Sequence, residues 1–312
     1  MKNKKSVRFF AIIIFIILTF NFMGFKRIDK TNRLKFRKDG TFKIVQFTDI
    51  HENEPINMKA ISLMNNVLDN EKPDFVVLTG DITDARSMDK QKILRDISYE
   101  AAPMEKRKIY WVAVLGNHDI EKVDITRENL IKEYMKYSYN VDLSTYFNAL
   151  VYSGSSPNPV FNMYFMDSGD YCSKGYGFIS NEEVNWYQNT ALNLKSKYKK
   201  AIPALMFFHI PLEEYKNPSP IISGTRNEDE CTQEVNTGLF SKVKEMGDVK
   251  GIFVGHDHIN DYVKDYQGIM LGYGRCSGYN SYSKKDYKRG ARVFLVNESD
   301  PSKIKTWVRL VS

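Results

Sequence analysis

The sequence predicts an α/β fold, and three observations carry that prediction. Short runs rich in β-branched and aromatic residues recur along the chain. Segments with apolar residues at helical spacing lie between them. The 272 residues beyond position 40 suffice for one large domain with a sizeable core.

The elements follow in order. Phe42–Phe47 is predicted as the first strand. Asn57–Asn70 places Met58, Ile61, Met64, Val67 and Leu68 on one helical face. Asp74–Thr79, with a proline just before it, is a buried strand, and Ile109–Leu115 is another. Thr126–Tyr137 is helical. Asn162–Asp167 is a strand, and Asn181–Lys197 is a helix that begins at a capping position. Ala204–Phe208 and Gly251–Val254 are short buried strands. Ala291–Val296 and Ile304–Leu310 close the chain as two further strands. The sequence contains no internal repeat and no low-complexity tract.

Charge divides the chain. The formal balance is +7 overall, yet residues 1–40 alone hold +9, which leaves −2 for the rest. The foldable part therefore lacks the basic character of a general polyanion binder, and no nucleic-acid partner is expected. A hydrophobic content of 42% with 13% aromatics excludes a disordered chain. The three cysteines, Cys172, Cys231 and Cys276, make no Cys-x-x-Cys pair, so neither a disulfide framework nor a thiolate zinc site is expected.

The first 25 residues have the pattern of a signal anchor or signal peptide. Lys2, Lys4, Lys5 and Arg8 precede the uncharged run Phe9–Phe25, and bulky Phe22, Met23 and Phe25 stand where a cleavage site needs small residues. Residues 26–40 are a basic linker, and residues 41–312 form the folded domain. Seven Lys/Arg follow the apolar run against four before it, which by positive-inside counting keeps the downstream side cytoplasmic. An apolar run directly after N-terminal lysines acts as an export signal. A membrane-anchored or exported chain with an extracytoplasmic domain is expected on that ground.

The histidines carry the functional signal. All five, His51, His118, His209, His256 and His258, stand just beyond a predicted buried strand. The segments are Asp49-Ile50-His51, Gly80-Asp81, Gly116-Asn117-His118-Asp119, His209 and Gly255-His256-Asp257-His258. A ligand outside the carboxyl end of a strand is how open α/β sheets build sites. Any one of these strings alone is weak, and a lone histidine after a strand is usually a loop or core residue. Five in this order, using every histidine, form a joint pattern. Imidazole and carboxylate donors suit Zn, Fe and Mn. With one carboxylate bridging two ions, the set makes a dinuclear centre of the kind that catalyses phosphoryl displacement. Gly80, Gly116 and Gly255 let the backbone approach such ions closely.

These blocks resemble the calcineurin-like metallophosphoesterase superfamily, over about residues 41–290. The flanking strings Tyr164–Tyr171, Phe207–Pro211, Gly255–Tyr262 and Arg289–Arg292 are similar to a branch holding yeast cell-cycle phosphatases and atypical plant purple acid phosphatase relatives. The resemblance implies a four-layer α/β sandwich, with two mixed β-sheets flanked by helices, and makes residues 41–312 the catalytic domain. It implies that Asp49, His51 and His258 hold one metal, that Asn117, His209 and His256 hold the other, and that Asp81 bridges them. His118 would face the scissile phosphate as general acid or charge stabiliser, with Asp119 orienting it. In purple acid phosphatases a tyrosine that ligates ferric iron follows the bridging aspartate by three residues. Here that position is Asp84, and His51 stands where they carry another residue type, so no ferric-tyrosinate centre is expected. The cofactor is two divalent or mixed-valence transition metals, Mn, Fe or Zn.

Substrate contacts are expected from Arg275, in a Gly- and Tyr-rich loop, by bidentate pairing with phosphate, and from Asn53. The substrate would be a phosphorylated small molecule or phosphoprotein. Three functions follow: a phosphomonoesterase, a phosphodiesterase or nucleotide pyrophosphatase on the same site, and a non-catalytic metal-binding module.

Overall fold

The computed structural model describes residues 34–311. The anchor expected over residues 1–25, and the linker up to residue 33, lie outside the described residues. Among the described residues no helix is long and apolar enough to cross a membrane.

Among the described residues, twelve strands and five α-helices alternate. They are β1 (Thr41–Phe47), α1 (Met58–Glu71), β2 (Phe75–Thr79), α2 (Lys90–Arg107), β3 (Tyr110–Val114) and α3 (Arg127–Tyr134). Then come β4 (Phe147–Tyr152), β5 (Pro159–Phe165), α4 (Asn181–Tyr198), β6 (Ala204–Phe207), β7 (Ile221–Ser223) and α5 (Leu239–Met246). The last are β8 (Val249–Val254), β9 (Val263–Tyr266), β10 (Ile269–Tyr273), β11 (Gly290–Asn297) and β12 (Asp300–Leu310).

Two mixed sheets result. One has the order β12-β11-β1-β2-β3, the other β4-β5-β6-β8-β10-β9-β7. Strands β1, β2 and β3 run parallel, as do β5, β6, β8 and β10. Antiparallel strands flank both parallel blocks.

Strand alternation explains the layering. In β1, Phe42 and Ile44 join the core between the sheets, with Phe75, Phe165, Phe207 and Phe253. Val45 and Phe47 point the other way, onto Ile61 and Met64 of α1 and Ile97 of α2. On the far side, Tyr164, Met206 and Ile252 meet Val184 and Tyr187 of α4 and Val243 of α5. The order is helix, sheet, sheet, helix, the four-layer sandwich expected. Gln46 sits in the seam between the sheets. Its amide donates to Thr79 Oγ1 in one sheet (2.7 Å) and to Val254 O in the other (3.1 Å).

Capping residues set the helix starts. Asn57 caps α1 and Thr126 caps α3. Ser180 and Glu183 form a reciprocal capping box at α4.

Two expectations are corrected. Residues 34–40, read as linker, belong to the domain: Leu34 and Phe36 are buried in the inter-sheet core, and Phe36 N donates to Tyr152 O. Helix α2 went unpredicted because Asp96 and Glu100 lie on its buried face and Pro103 lies inside it. These residues interrupt the apolar repeat of Ile93, Ile97, Ala101 and Met104.

Candidate metal centre

Five parallel strands end at one place. The carboxyl ends of β1, β2 and β3 supply Asp49, His51, Asp81 and Asn117. Those of β6 and β8 in the other sheet supply His209, His256 and His258. The turns after the strands are tight. Asp49, His51, Asp81 and His256 all adopt left-handed backbone conformations, with φ of 52°, 49°, 47° and 78°. Such conformations are uncommon for non-glycine residues and cluster at functional sites. Close approach leaves no room beside them: a Cβ at Gly116 would lie 2.2 Å from Asp81 Oδ1.

The donors converge in two groups that share Asp81. Asp49, His51, Asp81 and His258 form one, and Asp81, His209 and His256 the other, each with donor atoms within 4.8 Å of one another. Asp81 Oδ2 stands 3.4 Å from His51 Nε2 and 3.1 Å from His209 Nε2. His258 Nε2 is 3.5 Å from Asp49 Oδ1.

Neighbouring groups orient these donors. His209 Nδ1 donates to Thr79 O (2.9 Å), which turns Nε2 toward the site. Asp49 accepts from Thr48 Oγ1 and from the His256 backbone N–H. The His118 backbone N–H donates to Asp81 Oδ1. Asn117 Nδ2 donates to the Tyr171 hydroxyl (2.9 Å).

Electrostatics favour cations here. Burial holds His51 down at about 4 and His256 at about 3, and lowers His258 well below the usual imidazole value. These rings are neutral near pH 7 and keep a free lone pair. Burial also pulls on His209, but Asp81 and Asp49 outweigh it and lift that ring to about 9. Asp49 is pushed up to about 7 by burial.

The donor set fits two metal ions. Asn117 Oδ1 and His256 Nε2 are buried and have no hydrogen-bond partner. A buried carbonyl oxygen and a buried imidazole nitrogen left unpaired are costly unless a cation takes their lone pairs.

A cavity of about 190 Å³ opens above the cluster, with His51, His118, Arg86, Tyr176 and Tyr282 among its walls. His118 is thus part of the cavity wall. Its support does not come from Asp119, which is turned away and buried. That carboxylate accepts from the backbone N–H groups of Ile82, Thr83 and Gly116, pinning the loop behind Asp81. Glu121 instead meets the ring: its Oε2 lies 2.5 Å from His118 Nδ1.

The two expected substrate contacts are placed elsewhere. Arg275 pairs with Asp261 at 2.6 Å, donates to Lys288 O and lies flat over Tyr287. It is buried and does not line the cavity, because a nearer carboxylate already claims its guanidinium. Asn53 meets Asn280, whose Nδ2 is 3.3 Å from Asn53 Oδ1, and is not a wall residue. Instead Arg86 lines the cavity, braced by two hydrogen bonds to Asp84. Sequence reading missed both Arg86 and Glu121. The available signals were an arginine five residues past the shared aspartate and a His-x-x-Glu spacing.

A sandwich of two mixed sheets, with carboxylate and imidazole donors at the strand ends between them, defines a metal-dependent phosphoesterase fold. Residues 42–260 match the calcineurin-like phosphoesterase family, and the chain belongs to that family. Among its relatives, a protein of Arabidopsis thaliana named probable inactive purple acid phosphatase 29 is 32% identical, over 89% of this chain and 84% of that one. Phosphatase DCR2 of Saccharomyces cerevisiae is 30% identical, over 94% of this chain and 58% of that one. The structure of a dimetal phosphatase from Danio rerio superposes with a TM-score of 0.56 at 14% identity, covering 87% of this chain and 99% of that one. At that identity the likeness shows the fold.

Proposed function

We propose that the chain is a dinuclear-metal-dependent phosphomonoesterase. One observation carries this reading: six carboxylate and imidazole donors from four separate segments meet beneath a cavity that His118 and Arg86 line, and Asn117 Oδ1 is buried with no hydrogen-bond partner. Asp49, His51 and His258 would hold one ion, Asn117, His209 and His256 the other, and Asp81 both. Bound as a pair, Mn, Fe or Zn ions lower the pKa of a water and neutralise charge on the phosphoryl group.

The remaining roles belong to side chains. Arg86 faces the phosphoryl oxygens with its guanidinium, held at the cavity wall by Asp84. Water attacks phosphorus, the ester P–O bond breaks, and the leaving oxygen takes a proton from His118 Nε2. Glu121 accepts from His118 Nδ1–H and keeps Nε2 turned to the cavity. The substrate is a phosphorylated small molecule or phosphoprotein. The membrane anchor at residues 1–25 and an extracytoplasmic catalytic domain are part of this proposal, supported by the sequence pattern alone.

A second reading, a non-catalytic member of the family, is favoured by the word "inactive" in the plant relatives' names. Against it stands the full donor set with His118 in place. Turnover of p-nitrophenyl phosphate against its bis-ester decides among the readings. The monoester should be preferred, EDTA should abolish turnover, and Mn, Fe or Zn should restore it. On an alkyl phosphate, His118→Ala should lower kcat at least 100-fold while two metals stay bound, an effect of about 3 kcal/mol on the barrier. Preference for the bis-ester would support a diesterase instead. Full activity in chelator, or none with two metals bound, would sink the proposal.

A further inference from the structure

The geometry points to a leaving-group subsite, built from Tyr171, Tyr176 and Tyr282, that selects phosphomonoesters of planar aromatic alcohols. This rests on the phosphatase reading of the same cavity and names its substrate class.

Tyr176 and Tyr282 line the cavity, and Tyr171 stands beside Tyr176. On one side Tyr282 stacks on His258, with ring centroids 4.1 Å apart and planes 21° apart. Its hydroxyl accepts from the His258 backbone N–H (3.1 Å) and donates to Glu228 Oε2 (2.9 Å). The ring is pinned at both ends, yet Tyr282 remains 52% exposed and lines the cavity. On the other side Tyr171 and Tyr176 stack on each other, 5.8 Å apart with planes at 29°. Tyr176 also sets its edge against His256 at 4.3 Å, and Tyr171 lies edge-on to His118 at 6.3 Å. Tyr171 is anchored through its hydroxyl by Asn117 and stays 45% exposed.

Exposed tyrosines are commonly mobile surface residues. These two are held by hydrogen bonds to the segments that bear the candidate ligands, so their rings are fixed relative to where a phosphate binds. Fixed apolar faces cost little entropy when a flat group stacks on them. Position matters as well. The leaving oxygen must lie near His118, and the Tyr171 ring stands 6.3 Å from that histidine. An alkyl leaving group would find no partner there beyond ordinary contact. A phenyl ring, such as that of a phosphotyrosine side chain, would find an aromatic face within reach on either hand.

The test separates ring recognition from leaving-group chemistry by using phosphonates, which have no ester bond to break. The metal-loaded full chain is titrated calorimetrically with phenylphosphonate and methylphosphonate. The phenyl compound should bind more tightly, and Tyr282→Leu and Tyr171→Leu should each cut that preference about 3- to 10-fold, as expected for one aromatic pair. Tyr282→Phe, which keeps the ring, should retain it. Metal content is measured on each variant, so that loss of an ion is not mistaken for loss of stacking. Equal binding of both phosphonates would overturn the subsite and leave the phosphatase reading intact. No binding of either would overturn both. A preference for adenosine 5′-phosphate over ribose 5-phosphate that matches or exceeds the phenyl preference would assign the faces to a nucleobase and refute the aryl proposal.

Discussion

In the proposed mechanism Glu121 holds His118 in its working orientation, and its removal has a calculable cost. The two side chains are 17% and 22% exposed, so solvent screens their contact only in part. The 2.5 Å contact is short, as charge-assisted hydrogen bonds are. Hydrogen bonds to charged groups contribute about 1.5–3 kcal/mol. If all of that stabilisation is expressed in the transition state, Glu121→Ala lowers kcat by about 10- to 150-fold. Glu121→Gln, whose amide oxygen still accepts from Nδ1–H, should fall between wild type and alanine. The loss should appear in kcat with KM little changed, because the ring acts on the leaving oxygen. It should also depend on the substrate. p-Nitrophenolate departs with little need of a proton, so the effect should be small with p-nitrophenyl phosphate and full with an alkyl phosphate. The assay is steady-state kinetics on both esters with metal content matched. A kcat within twofold of wild type on the alkyl ester would refute the role given to Glu121. So would an equal loss on both esters.

Two other substitutions test the architecture around the site. Arg275→Ala strips the partner from buried Asp261 and should destabilise by about 3–5 kcal/mol, read as a lowered Tm. Folded protein recovered at low temperature should keep its KM, whereas a large rise in KM would return Arg275 to the substrate. Asp96 is pushed up to about 7 by burial, and both its carboxylate oxygens lack a hydrogen-bond partner. The folded state thus binds the proton more tightly than the unfolded chain, so stability declines as pH rises from about 4 toward 7. Asp96→Leu should therefore raise stability by ~1–3 kcal/mol at pH 8 and by less at pH 4, measured by urea unfolding. A destabilised variant at pH 8 would mean that the carboxylate has a stabilising role.

Much of this was legible because the strands carry their own signal. Runs such as Phe75–Thr79 are buried on both faces, so their composition alone marks them, and the histidines that follow inherit their positions. What escaped was decided by contacts distant in sequence. Strands β9 and β10 are a hairpin of four and five residues around Gln267-Gly268, too short to show a period. Helix α2 turns two acids inward. Arg275 and Arg86 look alike as loop arginines, and only their partners, Asp261 and Asp84, decide which one faces the cavity. Asp119 follows His118 directly, yet adjacency in sequence sends the two side chains apart, whereas Glu121, three residues on, comes back beneath the ring.

The division of the donors between the two sheets has a consequence for assembly. His51 and His258 are 207 positions apart and meet only when the sheets pack face to face. The centre is therefore absent from any partly folded species in which one sheet has formed alone. Metal that binds the assembled protein acts as a staple across the seam, and its binding free energy adds to the cohesion of the two halves. Thermal stability should then follow free metal concentration, and chelation should loosen the join between the sheets before it loosens either sheet. In this molecule the catalytic ions would double as the fastener of the fold.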